Sequence, residues 1–100
     1  MTRVDELAHV RAGDKGDHLI LGVVPWDQEA YDQLAERLTP ERVARAYRPL
    51  VTGPVQRSCL PELPALIFTL PGVLGAGVTG SPVLDGHGKT LSYHLLTVEI

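Results

Sequence analysis

Two apolar runs, residues 7–10 and 19–24, stand on either side of a segment that folding alone explains poorly. That segment reads Arg11-Ala12-Gly13-Asp14-Lys15-Gly16-Asp17-His18, and its position makes it the connection between two strands. Gly13 and Gly16 permit positive φ angles and let backbone N–H groups come close to a ligand. A turn needs Gly and Asp, but it has no need of Arg11, Lys15 and His18 as well. Two readings follow: a binding or catalytic loop, or a solvated hairpin turn whose charges keep it in water.

The remaining elements are read from period and caps. Residues 4–11 suit a first strand with weak alternation. Residues 18–24, with Ile20, Leu21, Val23 and Val24, suit a central strand covered on at least one face, and Pro25 ends it. Asp27 fits the N-cap of a helix on which Tyr31, Leu34, Ala35 and Leu38 share a face. Thr39-Pro40-Glu41 is a second start signal, with Thr39 as cap, Pro40 at the first helical position and Glu41 near the positive end of the dipole. Val43, Ala46, Tyr47 and Leu50 continue its apolar face, so Tyr31, Leu34, Leu38, Val43 and Tyr47 are the expected core. Arg42, Arg45 and Arg48 recur every third residue along one side of this helix, which reads as a solvated outer face in preference to an anion site.

Residues 55–60 alternate as a third strand. Residues 63–74 are so apolar that period alone fits either a strand or a helix. Pro64 at a first turn and the spacing of Leu66, Ile67, Leu70, Val73 and Leu74 favour a short helix that Pro71 must kink or end. A glycine-rich connection follows, with Gly72, Gly75, Gly77 and Gly80, and it reads as a flap over a ligand or as a mobile loop. Residues 81–84 suit a short strand and Asp85-Gly86 a turn. Thr90 or Ser92 suits the cap of a closing helix carrying Leu91, Leu95, Leu96 and Val98, while the alternation of Leu96, Val98 and Ile100 allows a last strand instead. Together these elements imply an α+β chain, an antiparallel sheet of about four strands packed on helices.

At 100 residues the chain is one domain, residues 1–100. Nine Lys and Arg stand against twelve Asp and Glu, and the basic residues are scattered, which argues against nucleic acid as a partner. Cys59 has no mate for an intrachain disulfide and reads as a small buried hydrophobe. No apolar run approaches the roughly 18 to 20 residues of a membrane span, and the N-terminus has no signal-peptide core, so the expected location is the cytoplasm. His9, His18, His87 and His94 are too dispersed for a zinc site. Residues 86–90 have the ending of a phosphate-binding loop, but Val83 stands where its first glycine belongs. The sequence thus calls for no metal and no cofactor. His18, beside Asp17 and near Lys15 and Arg11, is the histidine placed for proton transfer or anion binding.

The run from Arg11 to Asp17, followed by Gly22-Val23, resembles the R-x-G-D-K-G-D signature of the AtuA-like family, named for acyclic terpene utilisation. The similarity continues through Leu60-Pro61-Glu62-Leu63, Gly75-Ala76-Gly77, Leu84-Asp85, Gly88-Lys89-Thr90-Leu91 and the ending Leu95-Leu96 with Glu99-Ile100, and so covers nearly the whole chain. The resemblance implies a ferredoxin-like two-layer sandwich. In that family the module is commonly the C-terminal part of longer proteins and also occurs free-standing, and relatives are associated with catabolism of branched or terpenoid acyl-CoA compounds by a hydration or lyase step. It therefore implies the small subunit of a two-component acyl-CoA hydratase or lyase, with a larger AtuA-like subunit as partner and an acyl-CoA type substrate.

On that reading Asp14, Lys15, Asp17 and His18 are the catalytic candidates, and Arg11, Gly13 and Gly16 the substrate-binding ones. N–H groups around Gly13 and Gly16 would hold the oxyanion, Asp14 or Asp17 would activate water, and His18 would assist. Lys15 and Arg11 would hold charge on the substrate or orient the carboxylates. In the alternative reading Asp14 and Asp17 only accept backbone hydrogen bonds within the turn, and the chain is a non-catalytic assembly module that stabilises the larger partner.

Overall fold

The computed structural model describes residues 2–48, 50–73 and 91–100. Its elements are α1 (Val4–Leu7), β1 (Ala8–Lys15), β2 (His18–Pro25), α2 (Gln28–Arg37), α3 (Pro40–Ala46), β3 (Gln56–Leu60) and β4 (Ala65–Leu70). Residues 91–96 are helical. The glycine-rich connection beyond Val73, with Gly75, Gly77 and Gly80, and the expected strand and turn at residues 81–86 lie outside the described residues. The phosphate-loop-like residues 86–90 lie outside them too.

The two central helices begin where their caps place them. Asp27 Oδ1 accepts the Ala30 N–H at 2.8 Å, and Thr39 Oγ1 accepts the Arg42 N–H at 3.1 Å with Pro40 in the first turn. The start of the chain differs from the expected strand over residues 4–11. Residues 4–7 form one helical turn, because Glu6 reaches back to accept the Arg3 N–H at 2.8 Å and so satisfies a donor that a strand would need to pair. The strand then begins later, at Ala8, and runs further, to Lys15.

The segment 63–74 is a second correction. Residues 65–70 form a strand, β4, where a short helix from Pro64 was the favoured expectation. β4 is hydrogen-bonded to β2 on one side and β3 on the other, so it is the sheet's inner strand. Leu66, Phe68 and Leu70 are buried, and Ile67 and Thr69 are half-buried on the other face. A strand covered in this way is apolar at nearly every position, which erases the alternation that would identify it.

The sheet order is β1-β2-β4-β3, and every neighbouring pair is antiparallel. β2 and β3 therefore point the same way with β4 between them, and α2 and α3 make the crossover, which is the split β-α-β core of a ferredoxin-like fold. β1 extends the sheet beyond β2 as a hairpin. The helices lie on one face, giving a two-layer α+β sandwich. Leu19, Leu21 and Val23 of β2 and the inward residues of β4 pack into one core with Tyr31, Leu34, Leu38, Val43 and Tyr47, all of them buried as expected.

Two polar ties fix how the layers meet. The Arg57 guanidinium on β3 donates from Nη1 to the carbonyls of Ala35 and Leu38, 2.9 Å each, and so caps the C-terminal end of α2. At the other end of the chain the Val4 N–H donates to Val98 O at 2.9 Å and the Ile100 N–H to Thr2 O at 2.8 Å, with Arg3 and Glu99 in an antiparallel bridge. The last residues are thus a helical turn followed by a single bridge, and Ser92 sits within the helix and not at its cap. Arg42 joins this clasp by donating to Glu99 O at 3.1 Å, whereas Arg45 and Arg48 are exposed as expected of a solvated face. Among the described residues no helix is long and apolar enough to cross a membrane.

Candidate functional site

The site is built on the β1–β2 hairpin. Lys15 pairs with His18, so only Gly16 and Asp17 remain for the turn. Gly16 has φ 64°, and no residue other than glycine has a positive φ among the described residues. Positive φ at the first central position alone is the signature of a type II′ turn, whose twist suits a two-residue hairpin. Residues 11–18 are therefore not an open loop. The ladder runs through them from Arg11 opposite Gly22 to Lys15 opposite His18, and the hairpin is an arm at the sheet's edge, backed by β4 as far as Leu19, on which residues 11–17 are all exposed.

Strand alternation then sorts the candidates onto two faces. His9, Arg11, Gly13 and Lys15 share the face turned away from the helices, together with His18 across the ladder. Asp14 lies on the other face, opposite Leu19. Asp17 is in the turn, and its Oδ1 lies 2.8 Å from His18 Nδ1. Lys15, Asp17 and His18 are thus brought together at the tip. Arg11 is four residues back from Lys15, roughly 13 Å along the strand. A Cβ added at Gly13 would meet nothing within 4 Å, so the strip between the two cations is flat and open.

The register also assigns the backbone donors. Hydrogen-bonded and non-hydrogen-bonded pairs alternate from the closing pair Lys15–His18, so Gly13 exchanges both its bonds with Ile20. The N–H groups of Ala12 and Asp14 point instead to the outer edge of β1, where no strand pairs with it among the described residues. Asp17 accepting from the His18 ring fixes the proton on Nδ1 when the imidazole is neutral and leaves Nε2 outward, with the pair half-exposed. Among the described residues no three His, Cys, Asp or Glu side chains come together to hold a metal ion.

Cys59 is exposed on β3, contrary to the expected buried hydrophobe, because β3 is an edge strand of the sheet. His9 is the member of the outer-face row that sequence reasoning missed. The signal was present, since positions 9, 11, 13 and 15 fall on one face once the strand is carried through to Lys15.

A split β-α-β core extended by a charged hairpin arm defines a ferredoxin-like α+β domain. The family described as the AtuA ferredoxin-like domain matches residues 2–100, and the chain belongs to that family. Searches of curated proteins and of solved structures give no match.

Proposed function

We propose that this chain is the small subunit of a two-component acyl-CoA hydratase or lyase acting on branched or terpenoid acyl compounds, and that its β1–β2 arm completes an active site on a larger AtuA-like subunit. The observation that carries this reading is the exposed tip, where an Asp17–His18 pair stands beside Lys15 in a chain that one AtuA-related family spans.

Adding water across a conjugated thioester needs a base for the water, positive charge or donors for the carbonyl oxygen, and an acid for the α-carbon. His18 has its Nδ1–H held by Asp17, so Nε2 is free to take the proton from water as the oxygen bonds to the β-carbon. The electron pair displaced from the double bond moves onto the thioester oxygen, where Lys15 is the nearest cation of the arm and outward N–H groups at the β1 edge are available as donors. The α-carbon then takes the proton. Arg11, farther along the same face, suits the anionic part of the thioester. A tip surrounded by water can neither exclude solvent nor fix a substrate, so both tasks fall to the larger subunit. The assembly-module reading is favoured by one separate observation, the outer sheet face that no described element covers.

Asp17→Asn and Lys15→Met in the reconstituted complex separate the two readings. Both side chains are exposed, so melting temperature should stay unchanged while the rate of the assembled complex falls by about 10² or more. Unchanged turnover in both variants would remove the catalytic role. Lost association with intact folding would make the arm part of the subunit contact instead.

A further inference from the structure

The face of the sheet turned away from the helices is divided by charge. Along β1 it carries His9, Arg11 and Lys15, with His18 alongside, and toward β4 and β3 it carries Ile20, Val24, Ile67 and Leu60 together with the uncharged Thr69, Gln56 and Ser58. The register places no Asp or Glu on this face, although the chain as a whole has a formal net charge of −3. Among the described residues Glu29, Asp32, Glu36 and Glu41 lie on α2 and α3, while Asp17 is held by His18 in the hairpin turn and Glu62 lies in the β3–β4 turn. Val24 is 42% exposed and Leu60 37%. Trp26 and Leu63, 62% and 72% exposed, lie at the same end of the sheet, just past the end of β2 and in the β3–β4 turn.

We infer that this face docks a different polypeptide, one that presents an apolar patch bordered on one side by carboxylates. Charge complementarity selects that occupant. A second copy stacked face to face through its β1 row would oppose Arg11 and Lys15 with their own like charges. A second copy docked by its acidic helices would form a head-to-tail contact that does not close unless it rings. The strand spacing and rise give the face an area of roughly 400–500 Å². That matches the largest patch on an ordinary monomer, and it reaches the about 800 Å² per partner of a stable complex only with the apolar end at Trp26 and Leu63 included. The inference deepens the small-subunit reading and rests on it for the existence of a partner.

The test is photo-crosslinking of the full chain in its own cells, with benzoylphenylalanine in place of Val24 or, on the helix side, of Glu36. The Val24 position should give one adduct with a different polypeptide, its crosslinked peptide lying in an apolar surface flanked by Asp or Glu, and the Glu36 position should give none. Val24→Glu and Ser58→Glu, both at exposed positions, should leave the melting temperature unchanged and weaken association with that polypeptide by about tenfold or more, with added salt weakening the native complex as well. Adducts only with a second copy, equal adducts from Glu36, no adducts, or association indifferent to both variants would overturn it. The readout contains no turnover. A complex formed through this face but inert toward enoyl thioesters keeps the docking inference and retires the hydratase reading, while an active complex indifferent to Val24→Glu and Ser58→Glu does the reverse.

Discussion

Leu34 is fully buried in the core between α2 and the sheet, and truncating it leaves a cavity that α2 can close only by moving against β2. Leu34→Ala should cost ~2–5 kcal/mol. Urea melts with a loss under half of the lower bound would displace Leu34 from the core. Tyr47 is buried as well, its hydroxyl donating to the Leu91 carbonyl and its ring meeting His94 edge-on at 5.2 Å. Burial, the main cause, pushes its phenol well above the ordinary value of 10.0. Because the folded-state pKa is raised, the neutral phenol's contribution is complete below the unfolded value and is lost as pH rises toward the folded one. Tyr47→Phe should therefore lower stability by about 1 kcal/mol at neutral pH, and should flatten the decline in melting temperature expected of the native protein above pH about 10.

At the scale of elements, Arg57 links the edge strand to the crossover. Its two bonds to Ala35 and Leu38 satisfy carbonyls that α2 leaves unpaired, and its charge faces the negative end of that helix. Arg57→Met keeps much of the stem and removes the donors, and it should cost about 1–2 kcal/mol, measured by chemical denaturation. Arg57→Lys should recover only part of the loss, since one ammonium does not reproduce the planar fork. The hairpin arm depends on local chemistry of another kind. Its II′ turn needs positive φ at Gly16, and its length follows from the two-residue connection, so the arm is a rigid extension of the sheet.

For the whole molecule, the ends of the chain hold each other. Thr2 and Ile100 exchange backbone bonds, Val4 donates to Val98, Arg42 reaches Glu99 O, and His94 Nε2 donates to Ala46 O at 2.7 Å. Ile100 is buried and Val98 half-buried against the core. Removing residues 98–100 should destabilise the domain by about 2–4 kcal/mol, from lost apolar burial and unpaired N–H and C=O groups near the start of α1. At this size that is a fall of about 10 °C or more in melting temperature. An unchanged melt would mean that the clasp contributes nothing to the cooperative unit.

The sequence by itself determined the features that depend on residues a few positions apart. Asp27, Thr39 and Pro40 set the starts of α2 and α3, the 3.6 spacing picked out Tyr31, Leu34, Leu38, Val43 and Tyr47 as core, and alternation marked β3. The family signature around Arg11 to Asp17 was equally local, and so legible. Tertiary structure decided what depends on neighbours distant in the chain. Residues 65–70 are a strand because β2 and β3 lie on either side of them, and a doubly bonded inner strand has no alternation to read. Cys59 is exposed because β3 ended up at an edge. Arg11, Lys15 and His18 share a face without Asp14 because pairing with β2 carried β1 through to Lys15, and a pleated strand turns each successive side chain to the opposite side.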